Sequence, residues 1–272
     1  MSEQRVVLIT GASSGIGQAT ASLLADRGFK VFGTSRKPRS DKADGFVILQ
    51  LDVTSDESVN ACIRAVIQRT GRMDILINNA GYGLSGAIEE TSIQEAKSQF
   101  ETNFFGAVRM VKTVLPIMRQ QRRGQIINIS SMGGIVGNPF LAFYSASKFA
   151  LEGYTEALRH EVKRFNITVS LVEPTYFKTN AANQAKRSAE TIDDYIEMRQ
   201  RASAVIRERI ENGLNPKLVA DIILRIIQSR SPRLRYSVGK GSWGPRMKGI
   251  IPQSMFERVV RRFWNLDGQD DS

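Results

Sequence analysis

Six short apolar runs alternate with segments of helical periodicity along the first two thirds of the chain, and this alternation constrains the fold more than any other feature. The runs are Val6 to Ile9, Val31 to Gly33, Val47 to Leu51, Ile75 to Ile77, Ile126 to Ile129 and Val169 to Val172. None shows the in-out alternation of a half-exposed strand, so each reads as a strand buried on both faces. Helical spacing occupies Gly17 to Arg27, Glu57 to Arg69, a long stretch from Ile93 to Arg122, and Ala146 to Arg164. Strand and helix in turn imply right-handed crossovers, and hence an α/β, doubly wound parallel sheet in three layers. After Pro174 the pattern changes. A polar helical stretch from about Ala181 to Asn212 breaks at Gly213 to Pro216, and a helix (Leu218 to Gln228) and a short strand (Arg235 to Val238) follow.

The chain has 272 residues, 42% of them hydrophobic, which suits one domain with a sizeable core. Its single cysteine, Cys62, lies among Ile63, Val66 and Ile67 and reads as a buried core thiol in a reducing compartment. With one histidine, His160, a zinc site of histidines and cysteines is excluded and no metal is expected. A Ser-His-Asp triad would need His160, which stands in a polar helical stretch without a nucleophile elbow. The chain reaches Val6 without the regions of a secretory signal, and no apolar run is long enough to cross a bilayer. A cytoplasmic protein is expected, with at most a peripheral membrane attachment.

Directly after the first strand comes Thr10-Gly-Ala-Ser-Ser-Gly-Ile-Gly17, and a helix follows it. Glycines there let the backbone turn sharply and approach a pyrophosphate, whose charge the helix N-terminus holds. In that context the cluster reads as a nucleotide-binding turn rather than an ordinary tight turn. Further on stands Tyr144-Ser-Ala-Ser-Lys148. On a helix, positions i and i+4 share a face, so phenol and ammonium can point into one cleft, and a nearby cation lowers a tyrosine pKa toward the working range of a general acid. Alone, the pair is equally at home on an amphipathic surface.

The Gly-x-x-x-Gly-x-Gly spacing, joined to Asn78-Asn-Ala-Gly81, Ser131 and Tyr144-x-x-x-Lys148, resembles the short-chain dehydrogenase/reductase family from about Val6 to Thr179. The resemblance implies a Rossmann-like fold. It also implies that Gly11, Ser13, Ser14, Gly15, Ile16 and Gly17 surround the pyrophosphate, that Asp52 and Val53 contact the adenine, and that Asn79, with Ala80 and Gly81, lies by the adenosine ribose. By its own context Asp52 also reads as a helix cap. The resemblance further implies that Ser131 bonds the substrate oxygen, Tyr144 transfers the proton, and Lys148 lowers the tyrosine pKa while holding the nicotinamide ribose. Asn103 would link Lys148 through water to a proton relay; its other readings are a helix bulge or a capping side chain. Where the family has Pro-Gly the chain has Pro174-Thr175, and Thr179 is expected at the carboxamide.

An NAD site places a carboxylate at the end of the second strand, whereas a 2′-phosphate needs that acid absent and a cation nearby. This chain reads Gly33-Thr-Ser-Arg-Lys37. Arg36 can fork onto a phosphate with Lys37 or Ser13 assisting, so the expected cofactor is NADP(H). The competing reading is a solvated basic loop.

The remaining features bear on the substrate. Residues of about 181–215, with Ile192, Tyr195, Ile196, Val205, Ile206 and Ile210, read as a substrate lid, as plain core or as a dimer surface. Phe140, Leu141 and Phe143 make an apolar wall before Tyr144, which favours a lipophilic alcohol or ketone over a sugar. Residues of about 239–272 form a basic extension. Of the net charge of +11, eight charges fall between Arg230 and Arg262, where nine Lys or Arg face one acid, Glu257. Its interleaved aromatics look like the extension of the retinol and hydroxysteroid dehydrogenases of this family. They suit an anionic membrane surface, while a solvated face reads equally well. No nucleic-acid motif accompanies the charge. Within the fold the alternative is a 3-oxoacyl thioester reductase, and from another class a redox sensor that binds NADP(H) without turnover. A homodimer or homotetramer is the family expectation.

Overall fold

Val7 and Ile9 enter one core while Val6 and Leu8 enter another, which is why an unbroken apolar run is required there. They form strand β1 (Val6–Ile9) of a computed structural model that describes residues 4–37, 45–179 and 185–267. The other long strands are β2 (Lys30–Ser35), β3 (Val47–Gln50), β4 (Ile75–Asn78), β6 (Gly124–Ile129), β7 (Ile167–Pro174) and β9 (Arg235–Val238). A separate ribbon pairs β5 (Leu84–Ser85) with β8 (Lys186–Arg187). The main sheet has the order β3-β2-β1-β4-β6-β7-β9 with every neighbouring pair parallel. One face is covered by α1 (Gly15–Asp26) and α7 (Lys217–Gln228). The other is covered by α2 (Asp56–Thr70), α4 (Gly106–Gln121) and α5 (Ala142–Val162). The result is the expected Rossmann-like α/β fold. Chain progression reverses between β1 and β4, and a crevice opens there beyond the carboxyl ends of the strands.

The long stretch from Ile93 to Arg122 is not one helix. It divides into α3 (Ile93–Phe100), a π-turn at Glu101–Phe105, and α4. The wider turn carries Asn103 into the interior, where its amide takes both backbone groups of Tyr82 at 3.0 Å. Among the described residues of the polar stretch from 181 to 212, β8 and a 3-10 turn at Asp193–Tyr195 precede helix α6 (Ile196–Glu211). Residues 181–184 of that stretch lie outside the described residues. Buried Glu90 fastens the segment to the body: its carboxylate accepts from the Ala87 and Ile192 amides, both at 2.9 Å, and pairs with Arg199 of α6. The basic extension also packs. After a 3-10 turn at Gly244–Gly249, helix α8 (Gln253–Phe263) and the residue after it bury Phe256 and Trp264. Cys62 is buried, its thiol pushed up to about 11 by loss of solvation, and His160 is exposed.

Candidate active site

Gly11 and Gly15 adopt φ of +67° and +58°, the left-handed region open to glycine, and turn the chain from β1 into α1. The turn is braced from β4. Asn79 Nδ2 donates to the carbonyls of Thr10 (3.0 Å) and Gly11 (2.9 Å), while Thr10 Oγ1 accepts from the Asn79 and Ala80 amides, both at 2.9 Å. Gly11, Ser13, Ser14, Gly15 and Ile16 line the crevice. Gly17 does not. A Cβ there would stand 2.3 Å from the Gly11 carbonyl oxygen, so Gly17 permits close packing beneath the turn instead of facing a ligand. No acid occupies the first turn of α1, which leaves its positive end to an anion. A cradle that excludes side chains and faces a helix N-terminus fits a pyrophosphate.

Ser35, Arg36, Asp52, Val53, Asn79, Ala80 and Gly81 continue the wall. Asp52 is not the helix cap: Ser55 holds that position and accepts from Ser58 N at 3.1 Å. The Asp52 carboxylate instead closes a local turn with Thr54 N (2.9 Å) and Thr54 Oγ1 (2.8 Å), and the Thr54 backbone bond holds its pKa below the ordinary value. Lys37 does not line the wall, and its backbone amide donates to Ser35 Oγ at 3.3 Å.

Across the crevice, Ser130 and Ser131 follow the end of β6 at Ile129, and α5 begins early enough to hold both Tyr144 and Lys148 in helical geometry. Ser131, Tyr144 and Lys148 share the wall. Burial pushes the Tyr144 phenol above its ordinary value, and the facing Ser131 hydroxyl draws it partly back. Burial lowers the Lys148 ammonium to about 8, with Glu152 acting in the opposite direction. The ammonium donates to the Ile129 carbonyl at 2.8 Å and lies 6.0 Å from the centre of the Tyr144 ring. In this geometry desolvation of the phenolate sets the direction of the Tyr144 shift, opposite to the lowering expected from Lys148. Asn103 does not reach the wall. Its amide is engaged by Tyr82 and by Ser147 Oγ (3.3 Å), and a Cβ on Gly81 would stand 3.0 Å from Asn103 Oδ1 and 3.8 Å from Lys148 Nζ, so both side chains border one small space beside Gly81.

Sequence reasoning missed the charged network behind Lys148. Glu152, one turn further along α5, accepts from Arg235 Nε at 2.9 Å, and Arg235 also pairs with Glu156 (2.6 Å) and Glu173 (3.4 Å). Buried Glu173 receives Ser237 Oγ and Arg246, both at 2.6 Å. The only local signal was an acid one turn from the lysine. The Pro174-Thr175 departure also has a partner. Gly239 sits at φ +120°, and a Cβ there would come within 1.9 Å of Thr175 Oγ1. A side chain gained at 175 thus requires one to be absent at 239.

Pro174, Thr175 and Thr179 line the crevice as expected. Of the three wall residues before Tyr144 only Leu141 does; Phe140 takes φ +58° and Phe143 points elsewhere on the first turn of α5. Ile206 and Ile210 of α6 and Met247, Ile251, Phe256 and Val260 of the C-terminal segment supply the apolar wall instead. The cavity measures about 1600 Å³. Single-ligand pockets are typically on the order of 300–1,000 Å³, so it has room for a dinucleotide and a second molecule.

A seven-stranded parallel sheet, a glycine turn at its switch point and a Ser, Tyr and Lys set across the crevice together define a dehydrogenase class, and the model of the short chain dehydrogenase family matches residues 5–190. The chain belongs to that family. It is similar to the 3-ketodihydrosphingosine reductase of Bacteroides thetaiotaomicron, at 43% identity over 97% of this chain and 99% of the relative. It is also similar to the retinol dehydrogenase 8 of Bos taurus, at 40% identity over 85% of this chain and 80% of the relative. Among solved structures, ElxO with NADP bound superposes with a TM-score of 0.72 at 28% identity, covering 89% of this chain and 99% of the other.

Proposed function

We propose that the protein is an NADP(H)-dependent oxidoreductase that interconverts a carbonyl and a hydroxyl on a long-chain lipophilic substrate, a 3-keto sphingoid base being the favoured class. One observation carries this reading: a single cavity holds the glycine turn and Ser131, Tyr144 and Lys148 at one end and an apolar wall at the other. The similarity to a 3-ketodihydrosphingosine reductase supports the substrate class, and the absence of an acid beside Arg36 supports the phosphorylated cofactor.

The nicotinamide supplies the hydride when bound. The chain's own residues do the rest. The glycine turn holds the pyrophosphate, and Arg36 with Ser13 and Ser35 holds the 2′-phosphate. Ser131 donates to the substrate oxygen as charge develops on it, and Tyr144 delivers the proton to that same oxygen. A phenol held above its ordinary pKa by burial keeps its proton at neutral pH until that oxygen becomes basic enough to take it. Lys148 holds positive charge near the phenol, and Glu152 sustains that charge.

This arrangement sets a pH dependence. A lysine lowered to about 8 loses its charge at lower pH than an ordinary lysine, so the reductive kcat/KM should decline above about pH 8. Glu152 raises that value, and Glu152→Gln should therefore move the decline to lower pH. A profile unchanged by Glu152→Gln in a fully folded variant would separate the carboxylate from the site. The substrate class is tested by NADPH oxidation with keto substrates of graded chain length and with an oxoacyl thioester. Rising kcat/KM with chain length is expected, and preference for the thioester would reassign the substrate.

A further inference from the structure

Apolar residues cover half the circumference of α8, and packing uses only part of that half. Phe256, Val260 and Trp264, spaced by four, face the protein, with Phe256 and Trp264 buried. The adjoining stripe of Met255, Val259 and Phe263 lies outside, Val259 being 52% exposed. Trp243 and Ile250, on the preceding turn, are 70% and 74% exposed. Trp243, Met255 and Val259 also line the cavity, so this outer stripe is the rim of the cavity mouth. At about 100° per residue, Arg262 and Arg258 fall on the strip of helix beside Met255 and Val259, and both are exposed. An aliphatic stripe with an indole at its edge and arginines along its flank is the composition of a helix lying in a lipid interface. An apolar protein partner has no use for the cations, and an acidic partner has none for the stripe. An anionic bilayer takes both.

We propose that the face comprising Trp243, Ile250, Met255, Val259, Arg258 and Arg262 docks on an anionic bilayer and presents the cavity mouth to the lipid phase. That the mouth serves as a substrate entrance rests on the lipophilic substrate proposed above, so binding and turnover are read separately. In flotation, the intact chain should rise with phosphatidylcholine vesicles containing phosphatidylglycerol at low salt, stay behind with pure phosphatidylcholine, and be released at high salt. Arg258→Ala with Arg262→Ala should lower the partition about 25-fold, roughly fivefold per cation. Ile250→Asp should also lower it. None of these three residues lines the cavity, so NADPH binding, thermal melting and turnover of a water-soluble short-chain ketone should be unchanged, while turnover of a vesicle-borne long-chain ketone falls.

Equal recovery with both vesicle types, no flotation, or undiminished binding by the double arginine variant overturns the inference. Capture by an acidic carrier protein or an oligonucleotide without flotation also overturns it. A chain that floats yet reduces no ketone leaves docking intact and rejects the activity; a chain that reduces ketones without floating does the reverse.

Discussion

Tyr144→Phe should lower turnover by about 10²–10⁴-fold, the usual contribution of a positioned general acid, while leaving NADPH affinity nearly unchanged. The ring should stay in place, since the aromatic body beside Lys148 is kept and only the hydroxyl that faces Ser131 is removed. The loss should appear in kcat, because the proton moves only as the carbonyl oxygen gains charge. Fluorescence titration with NADPH and steady-state kinetics on the same preparation separate the two effects. Retained turnover would transfer the proton to another donor. Lost NADPH binding would mean that the phenol organises the cofactor end instead.

The second large effect concerns cofactor choice. Ser35→Asp together with Arg36→Leu should move preference from NADP(H) to NAD(H). Arg36 is the cation at the end of β2 that lines the cavity, and the 2′-phosphate would lose its charge-assisted bonds and meet a carboxylate. Loss of hydrogen bonds to a charged group costs about 1.5–3 kcal/mol, on the order of 10- to 100-fold in NADPH affinity. The introduced carboxylate should add affinity for the ribose 2′-hydroxyl of NADH. Comparing kcat/KM for the two cofactors in both proteins measures the shift, and an unchanged ratio would remove Arg36 from the phosphate site.

Both variants act on features that are local in sequence. A serine and an arginine at the end of a strand, and a tyrosine four residues before a lysine, are set by spacings of a few residues that survive folding unchanged, as is the glycine turn between a strand and a helix. Strand identity was equally plain, because β1, β4 and β6 are buried on both faces and so carry apolar runs in place of an in-out alternation. What escaped depends on parts of the chain that meet only in the fold. Helical periodicity runs through Glu101–Phe105, so of the readings open for Asn103 the helix bulge is the one the π-turn realises, while its bonds to Tyr82 depend on a loop that meets it only in the fold. Glu152 and Arg235 meet only because β9 pairs with β7 at the sheet edge beside α5. The absent side chain at 239 makes sense only once Thr175 is seen against it. The C-terminal segment carried a readable signal in the spacing of Phe256, Val260 and Trp264. Its net charge drew attention to the outer face, whereas its inner face closes the cavity.

Hydride from NADPH is expected to reach a carbonyl carbon held beside Tyr144. This transfer is tested most directly by supplying NADPH deuterated at the transferring position of the nicotinamide, with a long-chain 3-keto amine, and analysing the alcohol by mass spectrometry. One deuterium on the carbinol carbon is expected with the wild-type chain, and loss of that product with Tyr144→Phe. Alcohol without label, or NADPH that binds while no ketone is reduced, would contradict this expectation.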